Sequence, residues 1–305
     1  MKTKKEKRKK IILPNELSFG RWILVIVVAI AIGMTICLFT PIFTEIENRE
    51  DFFFGISYAD FFGILTFIPM TVAFVISLKL IGKTSIKDFI LGVGGKINVK
   101  TSLIILGLHV AGMALAYLFV INKLEWRGVS WREYSFLLFF MSMTAWFQTT
   151  FEELVFRGPL LRWACKNDVK YTKKAFICGA VNALIFALFH AGNPEVLSQS
   201  GFGIILTVFS YAIPGFMFYL ADMHFGNLMP GIIMHWANNF ILYVIVTLPA
   251  DSVAYYPTLF IDHSPQTPFA KIASTLILFI PCTIYIVVDL IKRKKRKLRC
   301  RRKHN

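Results

Sequence analysis

The chain alternates long apolar runs with short polar breaks. A spanning helix needs about 20 mostly apolar residues. Eight stretches approach that size, near 22–43, 61–81, 101–121, 135–166, 175–191, 204–222, 228–248 and 271–291. The pattern predicts an all-α fold, a polytopic membrane helix bundle of about eight transmembrane helices. No polar segment between the runs is long enough for a soluble domain. A single membrane domain over 22–291 is therefore expected, with basic tails at 1–21 and 292–305. Neither an internal repeat nor a matched pair of broken helices is present, the pattern that would mark many transporters.

Composition agrees with the pattern. Of 305 residues, 56% are hydrophobic and 30 are Phe, which excludes an ordinary soluble protein. The net charge of +16 comes largely from two basic blocks, Lys2–Lys10 and Lys292–Lys303. Beside spanning helices such blocks fix orientation and attract anionic lipid, so the bilayer is the expected partner and nucleic acid is not. The loop holding Glu45, Glu47, Glu50 and Asp51 is acidic, while the segments 82–100 and 166–174 are rich in lysine. Eight crossings then place both termini in the cytoplasm, in a multi-pass protein of the plasma membrane. The N-terminal run is too long for a signal-peptide core and reads as a retained span. Cys37, Cys165, Cys178, Cys282 and Cys300 are scattered, form no metal-type cluster and read as small thiols.

The candidate chemistry starts at Phe151-Glu152-Glu153-Leu154-Val155-Phe156-Arg157, at the end of an apolar run. A charge at membrane depth costs roughly 3 kcal/mol on insertion scales, so such residues usually mark a site. Glu153 and Arg157 are four apart with the acid first, the favourable order for a same-face ion pair. That pair is expected to be structural. Glu152 is turned about 100° away on the helix and is the carboxylate free to do chemistry.

Two further polar motifs lie in apolar runs: Phe186-Ala187-Leu188-Phe189-His190 and His235-Trp236-Ala237-Asn238-Asn239. His235 and Asn239 share a helix face. His109 reads as a hydrogen-bonded core residue, His224 as a loop histidine, and His263 and His304 lie outside the runs. Counted back from Lys166, Glu152 lies roughly 21 Å along a helix, and His190 lies roughly 24 Å on from Lys174. An antiparallel pair would bring them to one level. His235 is only about 12 Å past the turn at Gly226, so it joins them only if that turn is recessed.

A carboxylate beside a histidine suits general-base activation of water, and a histidine with an asparagine amide suits stabilisation of an oxyanion. That set would support hydrolysis of an amide bond inside the membrane. Glu152, His190 and His235 are equally the candidate ligands if a zinc ion is used. No cofactor and Zn2+ both remain open on the residues alone.

These motifs, Glu152-Glu153-xxx-Arg157, Phe186-xxx-His190 and His235-xxx-Asn239, in that order, resemble the CPBP family of CAAX proteases, bacteriocin-processing or bacteriocin-immunity proteins and abortive-infection proteins. Gly226-Asn227-Leu228 adds to the resemblance, which covers about 135–245. It implies an intramembrane endopeptidase, glutamate-type or zinc-dependent, acting on a peptide or a lipidated protein. It assigns Glu152 and His190 to water activation, His235 and Asn239 to the oxyanion, and Glu153 and Arg157 to support. Two other readings stand beside it: an immunity or scaffold protein without essential catalysis, and a proton-coupled transporter using the buried Glu and His residues.

Overall fold

The computed structural model describes residues 18–39, 52–92, 95–158, 172–247, 256–265 and 267–302. The basic block Lys2–Lys10, the acidic loop 45–51, the end of the 135–166 run with Cys165 and Lys166, and His304 lie outside the described residues.

Helices fall on all eight apolar runs. They are α1 (Phe19–Phe39), α2 (Tyr58–Leu65), α3 (Phe67–Leu80), α4 (Ile86–Leu91), α5 (Val99–Leu118), α6 (Trp131–Phe156), α7 (Lys173–Phe189), α8 (Pro194–Leu197), α9 (Phe202–Phe225), α10 (Met229–Val244), α11 (Pro268–Leu278) and α12 (Ile280–Arg302). Among the described residues, four stretches are long and apolar enough to cross a membrane: Phe19–Leu38, Gly63–Leu80, Val99–Leu118 and Phe202–Phe225. A fifth is added if α11 and α12, bent by 41° at their junction, form one span. The chain is thus an all-α, multi-pass membrane bundle. The remaining three core helices sit where spans are expected but are less simple. Two are short, α7 with 17 residues and α10 with 16, and α6 carries Arg132, Glu133, Glu152 and Glu153.

Local sequence explains where the helices start and stop. Ser85, Asn98, Ser130, Thr172 and Thr267 each accept a hydrogen bond from the backbone three residues on, satisfying donors that a first turn leaves open. Gly226, with φ of 75°, ends α9 in the left-handed conformation that a residue with a side chain resists. Pro230 and Pro268 sit in first turns, where a missing N–H costs nothing.

Two small sheets interrupt the helical pattern. β1 (Phe52–Phe53) pairs antiparallel with β2 (Ile56–Ser57). In the other sheet β5 (Phe260–Asp262) lies between antiparallel β3 (Leu124–Trp126) and parallel β4 (Val246–Thr247). The second sheet ties together the segments that follow α5 and α10 and precede α11.

The helices close around α6, α7, α9 and α10. α7 packs against α9, α10 against α6, and α9 against α10, while α3 covers α6 and α5 covers α10. The α7–α9 approach depends on small residues: a Cβ at Gly179 would lie 2.6 Å from the Tyr219 ring, and one at Gly215 would lie 3.3 Å from the Ala183 Cα. Such small-residue contacts are the usual basis of close packing between membrane helices, where lipid tails remove the hydrophobic drive. One buried cluster joins Trp22, Phe74, Phe89, Leu154, Tyr219 and Leu228, and another joins Ile105, Phe218, Met234 and Phe279.

α6 ends at Phe156, with Arg157 as its cap, and residues 159–166 of the expected run lie outside the described residues. Two expectations change. His224 is not a loop residue: it is 2% exposed in the last turn of α9 and meets Asp289 at 2.9 Å. His109 is fully buried between Phe218 and Phe279, yet neither ring nitrogen has a hydrogen-bond partner among the described residues.

Candidate active site

The last turn of α6 carries three charged side chains into the bundle. Glu153 and Arg157 are 0% exposed and form an ion pair one turn apart. The guanidinium is further held by the Gly215 carbonyl at 3.3 Å and by the rings of Phe186 and Phe218, at 4.7 and 5.2 Å. Charge pairing, a backbone acceptor and two aromatic faces replace part of the water that Arg157 has lost, and its Nη2 has no hydrogen-bond partner among the described residues. The end of α6 is satisfied by Asn182 of α7, whose amide donates to the Phe156 carbonyl at 2.5 Å.

His235 projects from the second turn of α10 onto these acids. Its Nδ1 lies 2.7 Å from Glu153 Oε1, and its Nε2 lies 3.6 Å from Glu152 Oε2. An ionised carboxylate only accepts, so Nδ1 donates the hydrogen and Nε2 faces Glu152. The Phe218 ring stacks on the imidazole at 5.1 Å, which fixes its plane. Glu152 is 9% exposed, and its Oε2 has no hydrogen-bond partner among the described residues.

His190 caps the end of α7, half-buried. Its Nδ1 donates to the Phe186 carbonyl at 2.8 Å, since a carbonyl only accepts, which leaves Nε2 as the acceptor of the neutral ring. Among the described residues no hydrogen bond or ion pair joins His190 to Glu152. The link between the motifs is the Phe186 ring, 4.4 Å from the His190 ring, 5.7 Å from that of His235 and beneath the Arg157 guanidinium. Phe156 adds a second link, with its ring 5.6 Å from Phe186 and 5.0 Å from Phe189. These contacts put the end of α6 level with the end of α7. Asn239 lies half-buried one turn beyond His235, where its Oδ1 accepts from Asn238 at 3.4 Å.

The turn before α10 is covered by protein on the side of α4. His224 and Leu228 are 2% and 1% exposed, and the Leu228 N–H donates to the Ile90 carbonyl of α4 at 3.0 Å. Asp222 holds the helix start: its Oδ1 accepts from the Gly231 N–H at 2.6 Å. Sequence reasoning does not single out Asp222, although a lone acid in the apolar 204–222 run is the signal that finds it. It is fully buried, and its Oδ2 has no partner among the described residues.

Glu152, His190 and His235 do not form a three-ligand cluster. Among the described residues no group of three His, Cys, Asp or Glu side chains is placed to hold a metal ion. The arrangement also engages His235 Nδ1 with Glu153 and His190 Nδ1 with a carbonyl.

Residues 134–241, just over a third of the chain, match the family described as Type II CAAX prenyl endopeptidase Rce1-like. Comparison with curated proteins and with solved structures gives no match. The matched segment begins in α6, ends in α10 and contains every residue of the charged cluster described above. Over residues 134–241 this chain is similar to the CAAX protease family, in its Rce1-like type II prenyl endopeptidases.

Proposed function

We propose that this chain is an intramembrane endopeptidase that hydrolyses a peptide bond of a membrane-associated peptide or lipidated protein, with Glu152 as the general base. The observation that carries the reading is Glu152 itself: buried, with an unpartnered Oε2 directed at the His235 ring. A buried carboxylate oxygen without a donor is costly unless a ligand or water supplies one.

In this reading a water is held between Glu152 Oε2 and the free Nε2 of His190. Glu152 takes one of its protons as the oxygen bonds to the scissile carbonyl carbon. His235 and the Asn239 amide donate to the oxyanion. For that, His235 must carry hydrogen on Nε2 as well as Nδ1, and Glu153 is the counter-charge beneath the imidazolium. Collapse of the intermediate breaks the C–N bond, and the proton on Glu152 passes to the leaving amine. Glu153 and Arg157 hold the geometry and touch no substrate atom. No step in this reading needs a metal, and among the described residues no three-ligand cluster is placed to hold one.

We place the protein in the plasma membrane with both termini cytoplasmic. Support comes from the positive-inside rule and from α12, which carries exposed Lys292, Arg293, Lys294 and Lys295 out of the bundle.

The test is cleavage of a mixed peptide library by purified protein, wild type beside Glu152→Ala, with and without a zinc chelator. The mutant is expected to lose at least ~100-fold in rate, the low end for a general base, while chelator leaves wild type unchanged. Loss in chelator would move the residues into a zinc site, and equal cleavage by mutant and wild type would overturn the reading.

A further inference from the structure

His190 lies against two rings. Phe186 lies tilted against it at 4.4 Å, and Tyr211 of α9 stacks on it at 4.6 Å with 24° between the planes. Tyr211 is itself tethered. Its hydroxyl donates to Glu195 Oε1 and accepts from the Asn193 amide at 3.0 Å. Asn193 reaches Glu195 Oε1 at 3.4 Å as well. The Asn193 backbone N–H bonds back to the His190 carbonyl at 3.1 Å, which closes the circuit onto the histidine. None of Asn193, Glu195 or Tyr211 belongs to the three motifs singled out in the sequence.

We infer that Tyr211 is a positioning residue for His190, with Glu195 and Asn193 as its anchor. The inference rests on the proposed role of His190 in holding the attacking water. The imidazole sits at a helix end, half-exposed, with only its Nδ1 bonded, so one hydrogen bond leaves the ring free to swing about that bond. A stacked ring removes that freedom if the stacking partner cannot move. The Tyr211 hydroxyl provides this, because it is bonded to the same 190–195 turn that carries the histidine. The turn and α9 therefore lock each other, and the free Nε2 keeps a fixed direction. A displacement of about 1 Å at a catalytic group costs up to ~100-fold in rate, so such a lock has a measurable effect.

The test uses the full chain in detergent and two independent readouts. The first is labelling of His190 by diethyl pyrocarbonate, read by mass spectrometry, with exposed His263 as internal control. Tyr211→Leu, which removes the stack, is expected to label His190 about fivefold faster than wild type, and Tyr211→Phe and Glu195→Ala, which keep the stack but weaken the tether, about twofold faster. The second readout is peptide cleavage. Here kcat is expected to fall roughly tenfold in Tyr211→Leu with KM unchanged, and Tyr211→Phe to recover part of the loss. Wild-type labelling of His190 in all three variants overturns the inference. If Tyr211→Leu does not fold, wild-type labelling in Tyr211→Phe and Glu195→Ala overturns it alone. If wild type cleaves nothing, the protease reading falls, and the labelling still decides the positioning.

Discussion

His235 donates to Glu153 at 2.7 Å and turns its other ring nitrogen to Glu152 at 3.6 Å. Two adjacent acids on one helix thus meet the two nitrogens of one imidazole. Glu153 is fully buried and paired with Arg157, Glu152 is not, and each acid keeps one oxygen without a donor among the described residues. This division of labour separates the effects of substitutions that look alike in the sequence.

Glu153→Gln and Arg157→Ala are expected to act on stability. Removing one partner of a buried pair leaves an uncompensated charge and costs about 3–5 kcal/mol. Thermal melting in detergent should show a large drop in Tm for both, whereas Glu152→Gln melts close to wild type. Equal melting of all three would show that the pair is not structural.

Gly231→Ala is expected to damage the site through the backbone. A Cβ there would lie 2.6 Å from Asp222 Oδ2, so either the acid or the first turn of α10 must move. The N–H that Gly231 donates to Asp222 would weaken, and His235, one turn on, would shift with the helix. Activity should fall at least ~10-fold, the scale set by sub-ångström misplacement of catalytic groups. Asp222→Asn, which preserves an acceptor at Oδ1, should keep most of it. The pair of variants is compared by kcat at saturating peptide.

His235→Ala and Asn239→Ala should each reduce kcat, and the double variant should lose less than the product of the two. Loss of one oxyanion donor costs about 100- to 1,000-fold. Groups that act as a unit are non-additive. Fully multiplicative losses, measured as kcat/KM on one peptide, would separate the two residues into independent roles.

The sequence alone singled out the candidate residues and the helices that carry them. Three short motifs, each placing charge or imidazole in an apolar run, stand out because polar groups at membrane depth are costly. The four-residue spacing of Glu153 and Arg157 already specified their pairing, since i and i+4 share a helix face. The eight runs gave the helical bundle for the same reason: the bilayer leaves an exposed backbone few options but helix.

Tertiary structure decided the partners. Periodicity places side chains on faces but says nothing about which helix lies opposite. The direct neighbour of Glu152 is His235, and His190 reaches the same cluster through the Phe186 ring. The placement of the turn before α10, and with it His235, depends on α4 lying against Leu228, a contact between residues far apart in the chain. Tyr211, Glu195 and Asp222 carry no motif. Their positions follow from how α9 packs against α7 and α10, where small residues allow backbones to approach. Local sequence rules hold within a helix, and this site is assembled between helices, where long-range packing makes the choice.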